Sequence, residues 1–544
     1  MTPVLSVRDL RVRFGDREAV GGVSFDLEPG RALGVVGESG SGKSSLALAL
    51  ARLHVGADVT GSVLLDGTDV LAASGADLRR LRGGRIAMVF QDPLSSLDPY
   101  LRVGDQIAEV YRVHTGASRR AAAAKAVEVL DRVGIPDAPR RARAHPHEFS
   151  GGMVQRALIA MALALEPRVL VADEPTTALD VTVQARLLAL LDELRTDTGM
   201  ALLLVSHDFG VVAETADDVL VMRDGVAVEH GPVDGVLRTP SARYTRELLR
   251  SVPRLDAPRL RVTSPARPEA PGATEGHEPP RGREPLLRVT DLRRDFVSGP
   301  PLRRRAVPAV DGVSLEVAPG EALGVVGESG SGKTTLARLV VRLLAPSSGR
   351  IEFAGRDVTR LSARDLRPSR RDLQMVFQDP LASLNPRRTV GDSIADPLRV
   401  LGEPGAERTA RDLMDRVGLD PGRYDAYPHE FSGGQRQRVG IARALGPGPR
   451  LLVCDEPVTS LDVSTQAQIL ALLAELRAER DLALLFVSHD LAVVRRVCDR
   501  VAVMRAGRVV ETGDVDTVYD HPEDGYTREL LAAVPRLVAL DPVV

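Results

Sequence analysis

The stretch Ala32–Lys43 reads ALGVVGESGSGK, and the same twelve letters return at Ala322–Lys333. A hydroxyl residue follows each copy, Ser44 in the first and Thr334 in the second. Both fit the pattern G-x-x-x-x-G-K-[ST], a glycine-rich turn between a buried strand and a helix, whose backbone N–H groups curl around phosphate oxygens. The chain prefers Arg almost everywhere and holds only three lysines: Lys43, Lys125 and Lys333. Two of these stand where a compact ammonium on a flexible stem reaches β- and γ-phosphates. The candidate cradle residues are Gly37, Glu38, Ser39, Gly40, Ser41, Gly42, Lys43, Ser44 and Ser45. Their counterparts are Gly327, Glu328, Ser329, Gly330, Ser331, Gly332, Lys333, Thr334 and Thr335. The helix after each loop adds its positive end, and the Ser44 and Thr334 hydroxyls suit Mg²⁺. A nucleotide site is built twice.

The repeat extends well beyond these loops. MVFQDPLSSLDP (Met88–Pro99) answers MVFQDPLASLNP (Met375–Pro386), and HPHEFSGG (His145–Gly152) answers YPHEFSGG (Tyr427–Gly434). ADEPTTALDVTVQA answers CDEPVTSLDVSTQA, LLLVSHD answers LLFVSHD, and YTRELLRSVPRL answers YTRELLAAVPRL. Small length changes fall between the loop and the SGG motif, after which the copies stay in register. Repeats of this length are tandem domains rather than a solenoid. They are assigned to residues 1–250 and 286–544, joined by a Pro/Gly-rich linker over 251–285 that reads as solvated. Within each copy the coarse reading is strand, loop, helix, a helical middle, then a strand–helix–strand run. Short continuous apolar runs such as Val169–Ala172 and Ala201–Val205 suit a parallel sheet covered on both faces. Ala121–Val133 reads as a helix, with Lys125 a solvated charge upon it.

Composition narrows the class. With 44% hydrophobic and 27% charged residues the chain has ordinary globular composition, and a net charge of −3 gives no basic footprint for nucleic acid. Its two cysteines, Cys454 and Cys498, allow neither a disulfide framework nor a CxxC metal motif. The start, MTPVLSVRDL, lacks the features of a signal peptide. No apolar run has the ~20 residues of a membrane helix, so any membrane association must come through partners.

Further residues carry chemistry. VLVADE (Val169–Glu174) and LLVCDE (Leu451–Glu456) each end an apolar run in two acids. Asp173 and Asp455 are placed to serve the metal's water shell, and Glu174 and Glu456 to orient or deprotonate the attacking water. His207 and His489 follow apolar strands in V-S-H-D at an identical offset from the acids, which points to a γ-phosphate contact. Gln91 and Gln378 are placed to join the Mg²⁺ or water shell.

Taken together, these residues resemble the ABC transporter ATPase family across nearly all of both repeats. SGGMVQ (Ser150–Gln155) and SGGQRQ (Ser432–Gln437) look like its signature. The resemblance implies an α/β fold with two tandem P-loop NTPase domains. Each would have a mainly parallel core sheet, an antiparallel β subdomain and a helical subdomain. It makes Gln91 and Gln378 the Q-loops, Asp180 and Asp462 the D-loops, and His207 and His489 the switch histidines. Phe14 looks like the aromatic residue that stacks on adenine, with Phe296 its weaker counterpart because VSGPPLRRRAVP intervenes. The implied cofactors are ATP and Mg²⁺.

The family's mechanism is a head-to-tail sandwich. One site would combine Lys43, Asp173, Glu174 and His207 with Ser432, Gly433, Gly434 and Gln435. The other would combine Lys333, Asp455, Glu456 and His489 with Ser150, Gly151, Gly152 and Met153. The motifs further resemble the dipeptide/oligopeptide/nickel importer ATPases, here as the fused version of their unequal pair. Met153 and Val154 depart from the usual signature, which puts equality of the two sites in doubt. No cysteine follows either YTRELL segment, so no iron–sulfur cluster is expected.

The function implied is to energise an importer, with peptides as cargo; nickel or glutathione-like cargo is the alternative. Expected partners are two transmembrane permease subunits and an extracytoplasmic binding protein, with the chain peripheral on the cytoplasmic face of the membrane. A twin-domain ABC translation factor is the rival from another class. Such factors join their domains by a long charged helix, which the Pro/Gly-rich linker does not resemble.

Overall fold

The computed structural model describes residues 2–91, 96–176, 179–256, 259, 284–298, 305–459 and 461–535. In the first copy a six-stranded sheet forms the centre. Its order is Val226–Pro232, Asp218–Arg223, Ala32–Val36, Ala201–Val205, Val169–Asp173, Ile86–Val89. All neighbours pair in parallel except the Val226–Pro232 edge. The second copy repeats the order with Arg508–Asp514, Arg500–Arg505, Ala322–Val326, Ala483–Val487, Leu451–Asp455 and Leu373–Val376. The three central strands of each sheet that precede the loop, the acids and the histidine are buried along their whole length. That explains their continuous apolar runs.

A four-stranded antiparallel sheet lies beside each core sheet, built on Leu5–Phe14 in the first copy and Leu287–Ser298 in the second. Its inward side chains, among them Leu5, Val7 and Leu10, share one apolar cluster with Leu46, Ala47 and Leu50 of the helix Lys43–Leu50. The helical middle comprises Val103–Thr115, Arg119–Arg132 and Gly151–Leu163, answered by Val390–Leu401, Ala406–Arg416 and Gly433–Leu445. Ser118 caps the Arg119 helix by accepting from Ala121 N at 3.2 Å. On that helix Lys125 is not solvated: it pairs with Glu128 at 2.8 Å and Glu166 at 3.1 Å. The Glu166 pair joins its helix to the turn before the acidic strand.

The two copies meet through their C-terminal helices. Arg243–Ser251 packs on Val463–Arg480 of the second copy, and Gly525–Ala532 packs on Val181–Thr198 of the first. Val463 joins the apolar cluster of Tyr244, Leu248 and Leu249. Arg186 and Glu529 add an ion pair at 3.1 Å. The start of the stretch read as linker also lies on the second copy, where Leu255 packs against its core and Arg259 pairs with Asp516 at 2.7 Å. Residues 260–283 lie outside the described residues.

Candidate functional site

In an open α/β sheet, ligands bind beyond the C-terminal ends of the strands, where the connections diverge. In the first copy the P-loop leaves Ala32–Val36, the acids end Val169–Asp173, His207 follows Ala201–Val205 and Gln91 follows Ile86–Val89. Four neighbouring strands thus deliver four kinds of group to one edge.

The P-loop is shaped by glycine. Gly42 and Gly332 sit at φ 97° and 104° directly before the helix, and a Cβ there would lie 2.4 Å from Ala19 O or 2.2 Å from Ala309 O. Only glycine fits so close to a neighbouring strand in a left-handed conformation. Lys43 is buried, and its Nζ donates to Gly37 O at 2.7 Å and Glu38 O at 2.8 Å. Lys333 repeats this with Gly327 O and Glu328 O, both at 2.7 Å. Burial pulls both ammonium pKa values down, and neighbouring carboxylates only partly oppose that. Each lysine is therefore a desolvated cation bonded to loop carbonyls, which a polyphosphate can replace as partner.

The hydroxyl and acid expected to serve Mg²⁺ are already in contact. Ser44 Oγ donates to Asp173 Oδ1 at 3.2 Å, and Thr334 Oγ1 to Asp455 Oδ1 at 2.9 Å. Burial pushes the Asp173 carboxyl up to about 6, and Asp455 moves in the same direction for the same reason. The other oxygen of Asp455, Oδ2, is buried without a hydrogen-bond partner. An orphaned carboxylate oxygen beside a hydroxyl suits a hydrated divalent cation, so the residues fit the metal.

The following glutamates adopt an unusual backbone, with φ 48° at both Glu174 and Glu456. Left-handed conformations are costly for non-glycine residues and cluster at functional sites. Here the bend aims each carboxylate at the histidine and glutamine. Gln91 Nε2 donates to Glu174 Oε2 at 2.8 Å, and His207 Nδ1 lies 3.2 Å from Glu174 Oε1. In the second copy Gln378 donates to Glu456 at 2.8 Å, His489 Nδ1 lies at 3.4 Å, and Thr459 Oγ1 adds a bond at 3.3 Å. Burial lowers both histidine pKa values, but the hydrogen bond and charge of the paired glutamate outweigh it, and the net shift is upward. Burial alone would raise Glu456; His489 and Lys333 reverse this and leave it lowered.

Each signature begins a helix. Ser150 Oγ accepts from Met153 N at 3.4 Å, and Ser432 Oγ from Gln435 N at 3.3 Å. Gly152 and Gly434 lie so near the first turn of the D-loop helix that a Cβ would approach Val183 Cγ1 or Thr465 Cγ2 to 2.6 Å. Asp180 and Asp462 cap those helices through Val183 N and Thr465 N, each at 2.9 Å. The first D-loop then crosses to the second copy's P-loop: Ser329 N donates to Asp180 Oδ2 at 3.3 Å, and Thr182 Oγ1 bonds Glu328 Oε1 at 2.5 Å. The signature is linked to the opposite loop through this D-loop, with no direct hydrogen bond between the two among the described residues.

Phe14 and Phe296 are both partly exposed. The Phe14 ring meets His54 edge-on, with centroids 5.3 Å apart, and His54 Nε2 bonds Ser45 O at 2.8 Å, so Phe14 stands beside the P-loop helix. Phe296 is covered by Arg294 at 5.1 Å instead. His54 gave no sequence signal, because nothing in the second copy answers it. Tyr244 and Tyr526, which bond the P-loops, could have been found from their repetition in YTRELL.

Two P-loop sites on one chain, each with paired acids and a histidine and joined across the copies by a D-loop, define a twin-cassette nucleotide hydrolase. The ABC transporter family matches residues 20–177 and 310–459, and the oligopeptide/dipeptide transporter C-terminal region matches 228–281 and 510–542. The chain belongs to the ABC transporter family and is an ATPase of its oligopeptide/dipeptide importer branch. It is 47% identical to the glutathione import ATP-binding protein GsiA of Escherichia coli O6:H1, over 98% of this chain and 89% of that protein. The protein of the same name from Salmonella typhimurium is also 47% identical, with the same shares covered. The solved dimeric post-hydrolysis state of the ATP-binding cassette MJ0796, bound to ADP and Pi, covers 42% of this chain and 99% of its own, with 27% identity and a TM-score of 0.39.

Proposed function

We propose that the chain powers import of small peptides by hydrolysing ATP at two composite sites. Each site would use the P-loop, acids and histidine of one copy and the signature of the other, with residues 1–250 and 286–544 as the two ATPase domains. The observation that carries this reading is the D-loop crossing, in which Asp180 and Thr182 of the first copy bond Ser329 and Glu328 of the second. A contact of that kind couples ATP at one loop to the position of the opposite copy.

In this reading Lys43 and Lys333 exchange loop carbonyls for phosphate oxygens. Glu174 and Glu456 hold the attacking water and take its proton. His207 and His489, held by those glutamates at Nδ1, present the other ring nitrogen toward the γ-phosphate. Ser44, Asp173 and Gln91, with Thr334, Asp455 and Gln378, would hold Mg²⁺, which supplies charge neutralisation to the phosphates when bound. Phe14 would support the adenine, with Phe296 in the same role in the second copy.

Permease subunits and an extracytoplasmic binding protein would be separate chains, since no described helix is long and apolar enough to cross a membrane. The chain would then sit on the cytoplasmic face. A groove beside Gln378, lined by Leu343, Phe377 and Pro397 together with Arg338, Arg370 and Arg443, would seat a permease segment. Glutathione, itself a tripeptide, is the second cargo reading, favoured by the 47% identity to glutathione import proteins. The deciding experiment is uptake by vesicles carrying this chain with its permeases and binding protein. ATP-dependent accumulation of dipeptides and of glutathione would be compared. Uptake of neither would overturn the cargo assignment.

A further inference from the structure

The glutamate of each GESGSGK loop has a different partner in the two copies, although the sequence around it is the same. In the first copy Tyr244 Oη donates to Glu38 Oε2 at 3.2 Å and accepts from Glu38 N at 3.4 Å, so the carboxylate is turned toward its own C-terminal helix. In the second copy Tyr526 Oη accepts from Glu328 N at 3.0 Å, but the Glu328 carboxylate reaches across the copies to Thr182 Oγ1. The tyrosine is the fixed post in both, steadied by Arg223 over Tyr244 at 4.8 Å and Arg505 over Tyr526 at 4.7 Å. The carboxylate is the arm that differs.

We propose that Glu38 and Glu328 are positioning residues that report closure of the sandwich to the P-loop. Each carboxylate bonds either the tyrosine of its own C-terminal helix or the hydroxyl of the opposite D-loop, and Thr182 biases the second site toward the crossed state.

Either choice gives the carboxylate one charge-assisted bond, so the two states are close in energy and a small difference decides between them. The D-loops supply that difference. Position 182 is threonine, whose branched Cβ restricts χ1 and keeps the hydroxyl aimed, and it is buried at the crossing. Its counterpart Ser464 is only half-buried; each hydroxyl lies 2.8 Å from the aspartate of its own D-loop, Asp180 Oδ1 or Asp462 Oδ1, but only Thr182 also reaches the opposite glutamate. The tyrosine helices also pack on the opposite D-loop helices, so the post and the crossing move as one body.

The test uses the full chain with dyes at Val113→Cys and Val400→Cys, one in each copy and both well exposed, while Cys454 and Cys498 are buried. Closure is followed by energy transfer as a non-hydrolysable ATP analogue is added. Thr182→Val and Glu328→Ala should each raise the half-saturating concentration about 5- to 10-fold, as expected for loss of a hydrogen bond to a charged group. Combined, they should cost no more than either alone. Thr182→Ser, which keeps the hydroxyl but loses the branched Cβ, should fall between the parent and Thr182→Val. Ser464→Ala should shift the midpoint less than about twofold, and its effect should multiply with that of Glu38→Ala. Ser464→Thr should lower the midpoint. Multiplying effects for Thr182→Val with Glu328→Ala, a Thr182→Ser chain as impaired as the valine, or the same non-additivity in the mirror pair would overturn the proposal. A chain that binds nucleotide with no closure at all would overturn the composite-site reading instead.

Discussion

The two signature turns share the letters PHEFSGG and differ in the next two residues, and that is enough to change how each is held. In the second, Gln435 completes a reciprocal cap: Ser432 Oγ accepts from Gln435 N, and Gln435 Oε1 accepts from Ser432 N at 3.0 Å. Arg436 then bonds Pro428 O at 3.0 Å and Phe431 O at 2.8 Å, tying the helix to the preceding turn. In the first, Met153 has no group to return to Ser150, and Val154 is buried in the helical core. One turn is fixed by a reciprocal cap and an arginine, the other by the single Ser150 bond and packing. Because each signature is assigned to the other copy's ATP, the lysine with the rigid partner is Lys43. Lys333 has the looser one.

The largest effect expected is on chemistry. Changing Glu174→Gln and Glu456→Gln together should lower ATP turnover by about 10²–10⁴-fold while ATP stays bound, as loss of a general base predicts. Turnover within tenfold of the parent would sink the assignment of both glutamates. Changing only one of them sharpens the comparison, since unequal residual rates would show that the two sites do not fire alike.

A second prediction concerns pH. Both histidines are raised by their glutamates, so each pair's contribution is fully present below the ordinary imidazole pKa of about 6.5 and is lost as pH rises through the raised value. Glu456, being lowered, gives its contribution above about pH 4.5 and loses it as pH falls through its depressed value. The nucleotide-free chain should therefore melt lower as pH rises above about 7, and His207→Ala with His489→Ala should flatten that slope. An unchanged slope in the double variant would contradict the pairing.

Smaller effects follow from the signature turns themselves. Grafting Met153→Gln and Val154→Arg should add the reciprocal half of the Ser150 cap, worth about 0.5–2 kcal/mol. Gln435→Met with Arg436→Val should loosen the second turn by a similar amount. Amide exchange at the start of each helix measures both, and equal protection in the parent chain would refute the contrast. The smallest effect belongs to Lys125→Ala, which removes two ion pairs whose carboxylates are exposed and should cost less than about 1 kcal/mol by chemical denaturation.

Much of this was legible in the letters. A glycine loop, a buried run ending in two acids and a histidine after a strand all carry local signals, because strand order brings their ends together without further instruction. Partner choice left no such trace. Glu38 and Glu328 sit in identical twelve-residue stretches, and the opposing D-loops that separate them, with Thr182 and Val183 against Ser464 and Thr465, lie far away in sequence. Lys125 looked solvated because Glu166, its cross-turn partner, lies outside the helix that carries it. The opening of the Pro/Gly-rich stretch read as solvated, yet Leu255 and Arg259 dock on the second copy, where Asp514 and Asp516 supply the charge. Contacts between copies depend on shape, which composition does not report.

The claim that the two sites are completed across the copies is tested most directly by counting the ATP retained per chain in paired variants. Lys43→Ala with Ser432→Arg damages one composite site only and should leave one ATP bound. Lys43→Ala with Ser150→Arg damages both and should leave none. Equal retention in the two pairs, or the reverse order, would contradict the account.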